Sequence, residues 1–175
     1  MSREYDSASE SSGRILTRLL RLVGTWRGAG NGRYPTIQPF EYLEELSFAS
    51  NGVQPLLHYV QKTWLRRADG SAGKPLHCES GFLLVGEDGG VQMTNAQNGG
   101  RVEVLRGALA EDGPAGGFTL SLASVLFGND ERMLRTARSY VLAEGVLSYR
   151  VEMATTTTPA PVLELHLAAT LIRSW

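Results

Sequence analysis

Few side chains in this sequence are of a type and spacing that could do chemistry. There are three histidines, His58, His77 and His166, and one cysteine, Cys78. A single neutral imidazole can ligate a metal and leave the opposite coordination position open. The three histidines lie far apart in sequence and carry no metal-site spacing of their own. His77-Cys78-Glu79 has the HxE of zinc deaminases but lacks the later PCxxC, which sets that chemistry aside. Cys78 as a nucleophile would need His77 or another oriented base, and neighbours on a strand point to opposite faces, which argues against the His77 pair. No GxSxG supports a serine hydrolase. Gly28-Ala29-Gly30-Asn31-Gly32 has neither GxGxxG spacing nor the Lys-Ser/Thr of a phosphate loop. Glu44 and Glu45 read as a strand's outer face, and Trp26 reads as core packing.

The framework for these residues is mostly β. A chain of 175 residues points to one domain. Hydrophobic residues at 42% and charged residues at 20% exclude a disordered chain. No apolar stretch approaches the ~20 residues of a membrane-spanning helix, so no membrane partner is expected. Lys plus Arg number 17 against 18 Asp plus Glu, a net charge of -1 that gives no broad attraction for nucleic acid. A lone cysteine forms no intrachain disulfide and fits a reducing, cytoplasmic setting. Residues 1–12 are polar, lack a signal-peptide pattern, and read as a flexible tail ahead of a domain at 13–175. Over residues 13–23, Ile15, Leu16, Leu19, Leu22 and Val23 recur at helical spacing before Gly24. Beyond Gly24, short alternating segments are separated by turn signals such as Asp69-Gly70, Asn98-Gly99 and Glu144-Gly145. About ten strands at this spacing predict an all-β, antiparallel barrel. Above eight strands a barrel encloses more room than side chains fill, which favours an interior ligand.

Gly24-Thr25-Trp26-Arg27-Gly28-Ala29-Gly30 matches GxWxGxG, a lipocalin-like feature in which Trp plugs the closed end and the glycines let the strand bend. Further motifs follow in order: Tyr34-Pro35-Thr36-Ile37, Pro75-Leu76-His77-Cys78-Glu79, Ala96-Gln97-Asn98-Gly99-Gly100, Met153-Ala154-Thr155 and His166-Leu167-Ala168-Ala169-Thr170-Leu171. This ordered set, from about residue 19 to 173, resembles the nitrobindin family of haem-binding barrels, also described as peroxynitrite isomerases. It is most similar to the stand-alone plant and bacterial members.

The resemblance implies a ten-stranded antiparallel lipocalin/fatty-acid-binding-protein-like barrel with a short N-terminal helix. It implies one haem b per subunit, with His166 as the metal ligand. Thr36 and Arg138 match haem-contacting positions, Arg138 standing where relatives carry Lys and offering a partner for a haem propionate. His77 matches a residue on the haem's other side, and Leu76, Gln97 and Met153 match pocket-lining positions. The implied activity is isomerisation of peroxynitrite to nitrate at ferric iron, with no catalytic side chain beyond the iron. Nitric oxide is a further expected ligand and a homodimer the expected assembly. The alternative is an intracellular carrier of a fatty acid or other small apolar ligand without haem chemistry. Strand parity bears on the choice: Leu163, Leu165, Leu167 and Leu171 share one face, while His166 falls on the other with Glu164, Ala168 and Thr170. If the leucines face inward, His166 faces outward unless a bulge intervenes.

Overall fold

The computed structural model describes residues 2–113 and 116–174, with the backbone alone described for 2–10 and 111–113. Met1 and Trp175, the outer limits of the expected tail and barrel domain, lie outside the described residues. The elements are α1 (Ser2–Leu19), a 3-10 turn (Leu20–Leu22), β1 (Gly24–Tyr34), β2 (Ile37–Ala49), β3 (Leu56–Arg66), β4 (Ala72–Val85) and β5 (Val91–Gln97). They continue with β6 (Val102–Gly113), β7 (Gly117–Gly128), β8 (Met133–Ala143), β9 (Val146–Thr155) and β10 (Glu164–Ser174). The ten strands form one closed antiparallel barrel, each beside its chain neighbour, with β10 returning to pair with β1. Among the described residues, closure gives every strand a neighbour on both sides.

Alternation sets which residues face inward. On β3, Leu57, Tyr59, Gln61 and Thr63 are buried, while Lys62 between them is exposed. The β8–β9 hairpin turns at Glu144-Gly145, both with positive φ (50° and 79°), as a two-residue type I′ loop requires.

The helix starts at Ser2 rather than residue 13, so the stretch read as a tail is helical. It contains no glycine or proline before Gly13, and nothing in its sequence stops a helix earlier. Leu19 and Leu22 are fully buried against Trp26 and close one end of the barrel. The Trp26 indole N–H donates to the Leu22 carbonyl at 2.7 Å. The Arg173 guanidinium lies 4.5 Å from the Trp26 ring centroid and donates to the Arg21 carbonyl at 2.5 Å and to the Val23 carbonyl.

The β1 glycines have a role besides the bending expected of them. Gly30 and Gly32 face inward, directly across from Tyr42 and Phe40 of β2. A Cβ at either position would overlap the facing aromatic ring. The missing side chains let those rings lie over β1 and carry the Tyr42 hydroxyl into the interior. Among the described residues, no helix is long and apolar enough to cross a membrane.

Candidate functional site

The end opposite α1 holds a cavity of about 340 Å³. Phe40, Leu76, Val151 and Leu167 supply apolar wall. Tyr42, Gln61, Thr63, Glu79 and Arg138, all buried, make its deeper part polar, and His77, Gln97, Arg101 and His166 complete it. A second cavity of about 210 Å³ adjoins it, with Thr36, Met133 and Met153 in its lining. His166 and Arg101 line both. The residues singled out from sequence therefore gather here: Leu76, His77, Gln97 and Arg138 at the first cavity, Thr36 and Met153 at the second, His166 between them. His58 is elsewhere, on the outer face of β3 against Ser80 (2.9 Å) and the Phe82 ring. Cys78 is also exposed on the outside.

His166 reaches the cavities because β10 carries a bulge. Leu165 pairs with Glu152 and Leu167 with Val151, adjacent residues of β9, so His166 is the extra residue. The inserted residue shifts the parity that would have turned the imidazole outward, while Leu167 still packs inward with Ala169 and Leu171. The ring is held in one orientation. Its Nδ1 lies 3.0 Å from the Arg33 carbonyl, which can only accept, so Nδ1 carries the proton. Nε2 of the neutral ring is then the nitrogen with the free lone pair. Tyr34 packs against the ring at 5.9 Å and 83°, and its hydroxyl lies 3.0 Å from Thr155 Oγ1. Burial pushes the His166 pKa down, the Arg33 carbonyl opposes it, and the charges of Arg101 and His77 reinforce it. The neutral ring is the metal-binding form.

Arg138 is arranged differently from the expectation of a propionate partner. Its Nη1 donates to Glu79 Oε1 at 2.5 Å, and Nη2 donates to Glu79 Oε2 at 3.2 Å and Glu103 Oε2 at 3.1 Å. A cation this deeply buried needs internal counter-charges, and two of the chain's own carboxylates supply them. Its Nε has no partner among the described residues. Glu79 also accepts from the Tyr59 hydroxyl at 3.2 Å and from His77 Nε2 at 3.1 Å. Burial pushes the Glu79 carboxyl up, but the Arg138 charge and the hydrogen bonds of His77 and Arg138 hold it well below the usual carboxylate range.

Glu44 corrects a second expectation. It points inward and is 3% exposed, while Glu45 lies outside and pairs with Arg27 at 2.6 Å. Glu44 accepts from the Tyr149 hydroxyl at 2.5 Å and from Gln61 Nε2 at 2.8 Å, and Tyr149 lies 2.8 Å from the Tyr42 hydroxyl. Burial raises the Glu44 pKa to about 7 against the opposing pull of the Tyr149 and Gln61 hydrogen bonds. Sequence reasoning also passed over Arg101. It lies in the β5–β6 connection, where no periodicity marks a side chain as inward.

Residues 15–173 match the family described as THAP4-like, heme-binding beta-barrel domain. Peroxynitrite isomerase Rv2717c of Arabidopsis thaliana is 41% identical over 150 residues, 86% of this chain and 83% of that protein. Peroxynitrite isomerase 1 of Mycolicibacterium paratuberculosis is 40% identical over 159 residues, 90% of this chain and 94% of its own. The crystal structure of Rv2717c from M. tuberculosis superposes with a TM-score of 0.80 at 38% identity, covering 92% of this chain and 98% of that one. With the motif order, the closed barrel and these matches all extending over nearly the same residues, the chain belongs to the THAP4-like, heme-binding beta-barrel domain family.

Proposed function

We propose that this chain binds one haem b per subunit through His166 and isomerises peroxynitrite to nitrate. The observation that carries this reading is the His166 imidazole, placed between two cavities by a bulge and fixed through Nδ1 on the Arg33 carbonyl. The residues present fit the group. They offer one neutral imidazole nitrogen, apolar wall for a porphyrin, and a buried Arg101 Nε without a partner among the described residues. The identity of relatives named peroxynitrite isomerase supports the reaction assigned.

When bound, haem supplies a ferric Lewis acid that polarises the O–O bond of peroxynitrite, and the rearrangement to nitrate conserves every atom and electron. The chain's own part is to hold and enclose. The Arg33 carbonyl keeps the His166 proton on Nδ1 and fixes the ring plane. Phe40, Leu76, Val151 and Leu167 give the inner cavity an apolar wall that would limit water beside the bound ligand. His77 stays anchored through Nε2 on Glu79, which orients its ring at the inner cavity. Thr36 and Met153 in the second cavity and Gln97 and Arg138 in the first would line the cofactor's site, Arg138 while held by Glu79 and Glu103. The lone cysteine supports a cytoplasmic setting. The resemblance extends the proposal to nitric oxide as a ligand and to a homodimer. An unchanged spectrum of the ferrous protein under nitric oxide, or a monomer in sedimentation, would remove these two additions.

The test is direct. Haemin added to the purified protein produces a Soret band, and His166→Ala abolishes it. The ferric protein speeds peroxynitrite decay in stopped flow and raises the nitrate yield. A full band in His166→Ala refutes the ligand, and decay no faster than in buffer leaves a binding module rather than an enzyme.

A further inference from the structure

Arg138 and Arg101 both line the inner cavity, but their charges are met differently. Arg138 is clamped by Glu79 and Glu103. Arg101 has no such clamp. Its Nη1 donates to the Met133 sulfur at 3.0 Å, and a thioether is a weak acceptor. The nearest carboxylate oxygen in an ion pair with it, Asp130 Oδ2, is 3.8 Å away, and Asp130 is already held by Arg132 at 2.9 and 3.1 Å. Arg101 Nε is buried and without a partner among the described residues. The side chain keeps 20% exposure, so part of its guanidinium is open to the cavities while Nε is not. This under-bonded guanidinium lies in the wall shared by both cavities, beside His166.

We propose that Arg101 is the anion receptor of the site, its planar fork completed by a ligand that brings delocalised negative charge. A guanidinium recognises a carboxylate or a small oxyanion through paired N–H donors, which suits either of two sources. One is a propionate of the haem itself; the other is a free anion approaching the iron, as peroxynitrite does. The proposal rests on the haem reading above and deepens it by assigning the charge partner that Arg138 does not provide.

The experiment titrates haemin and haemin dimethyl ester, whose propionates carry no charge, into wild type, Arg101→Gln and Arg101→Lys, followed at the Soret band. Azide and neutral imidazole are then titrated into the ferric proteins. If the propionate is the partner, Arg101→Gln weakens haemin binding at least about tenfold and leaves the ester unchanged. If a free anion is the partner, haemin affinity holds while azide affinity falls about tenfold and imidazole affinity does not move. Arg101→Lys keeps the charge without the fork and falls between in either case, and it carries the test should Arg101→Gln fold poorly. Equal losses for haemin and its ester, with equal losses for azide and imidazole, assign Arg101 a purely structural role and overturn the proposal. So do affinities within about twofold throughout. Absence of a Soret band in wild type overturns the haem reading and this one together; a normal band with unmoved variants overturns this one alone.

Discussion

Glu44 is a carboxyl group enclosed by Tyr149, Gln61 and the inner faces of β2 and β3, and its protonation is tied to folding. Its ordinary value is 4.5, and in the fold it rises to about 7, chiefly through burial. The folded chain therefore holds this proton where the unfolded chain has released it. Its stabilising effect is complete below about pH 4.5 and disappears as pH climbs to about 7, above which a charged carboxylate must stay buried. Denaturant unfolding of the apoprotein at about pH 5 and about pH 8 should show a loss of a few kcal/mol that Glu44→Gln removes. An unaltered pH slope in the variant would place the dependence elsewhere. Glu79 has the opposite sign. Its carboxyl is held low by Arg138 and His77, so its contribution is present above the unfolded value and fades only in acid.

The elements differ in how plainly the sequence announces them. The strands were legible where they alternate and end at turn signals: Asp69-Gly70, Asn98-Gly99 and Glu144-Gly145 fall in the β3–β4, β5–β6 and β8–β9 connections. Alternation also places Glu44 on the face of Tyr42 and Leu46, but a glutamate is read as outward unless its buried partners are known, and Gln61 and Tyr149 sit on β3 and β9. The bulge at His166 has no local signature, since whether an extra residue is extruded depends on pairing with β9. The resemblance supplied His166 where periodicity left its facing open. The β1 glycines were visible, and their reason was not, because it lies in rings contributed by β2. Gly30→Ala tests that reason. The added methyl displaces the Tyr42 ring, breaks its contact with Tyr149, and costs about 1–3 kcal/mol in urea unfolding. A variant as stable as wild type would return Gly30 to the role of a flexible joint.

At the scale of the whole barrel, closure joins strands from opposite ends of the chain. An all-β fold closed by such a long-range seam belongs among those that fold in milliseconds to seconds. A ligand that binds only the closed form adds to its stability by mass action, by about 2.7 kcal/mol at a free concentration of one hundred times Kd. Haemin should therefore raise the Tm of the wild-type protein in a concentration-dependent manner and leave that of His166→Ala unmoved, as read by circular dichroism. A rise of equal size in both would indicate haemin adhering to the outer surface. The seam between β1 and β10 has one more effect. The strand that seals the ring also carries His166, and it is the last of the ten to be made on the ribosome. A nascent chain of nine strands has neither an intact wall nor His166, so on the ligation proposed above cofactor acquisition in the cell follows translation of β10.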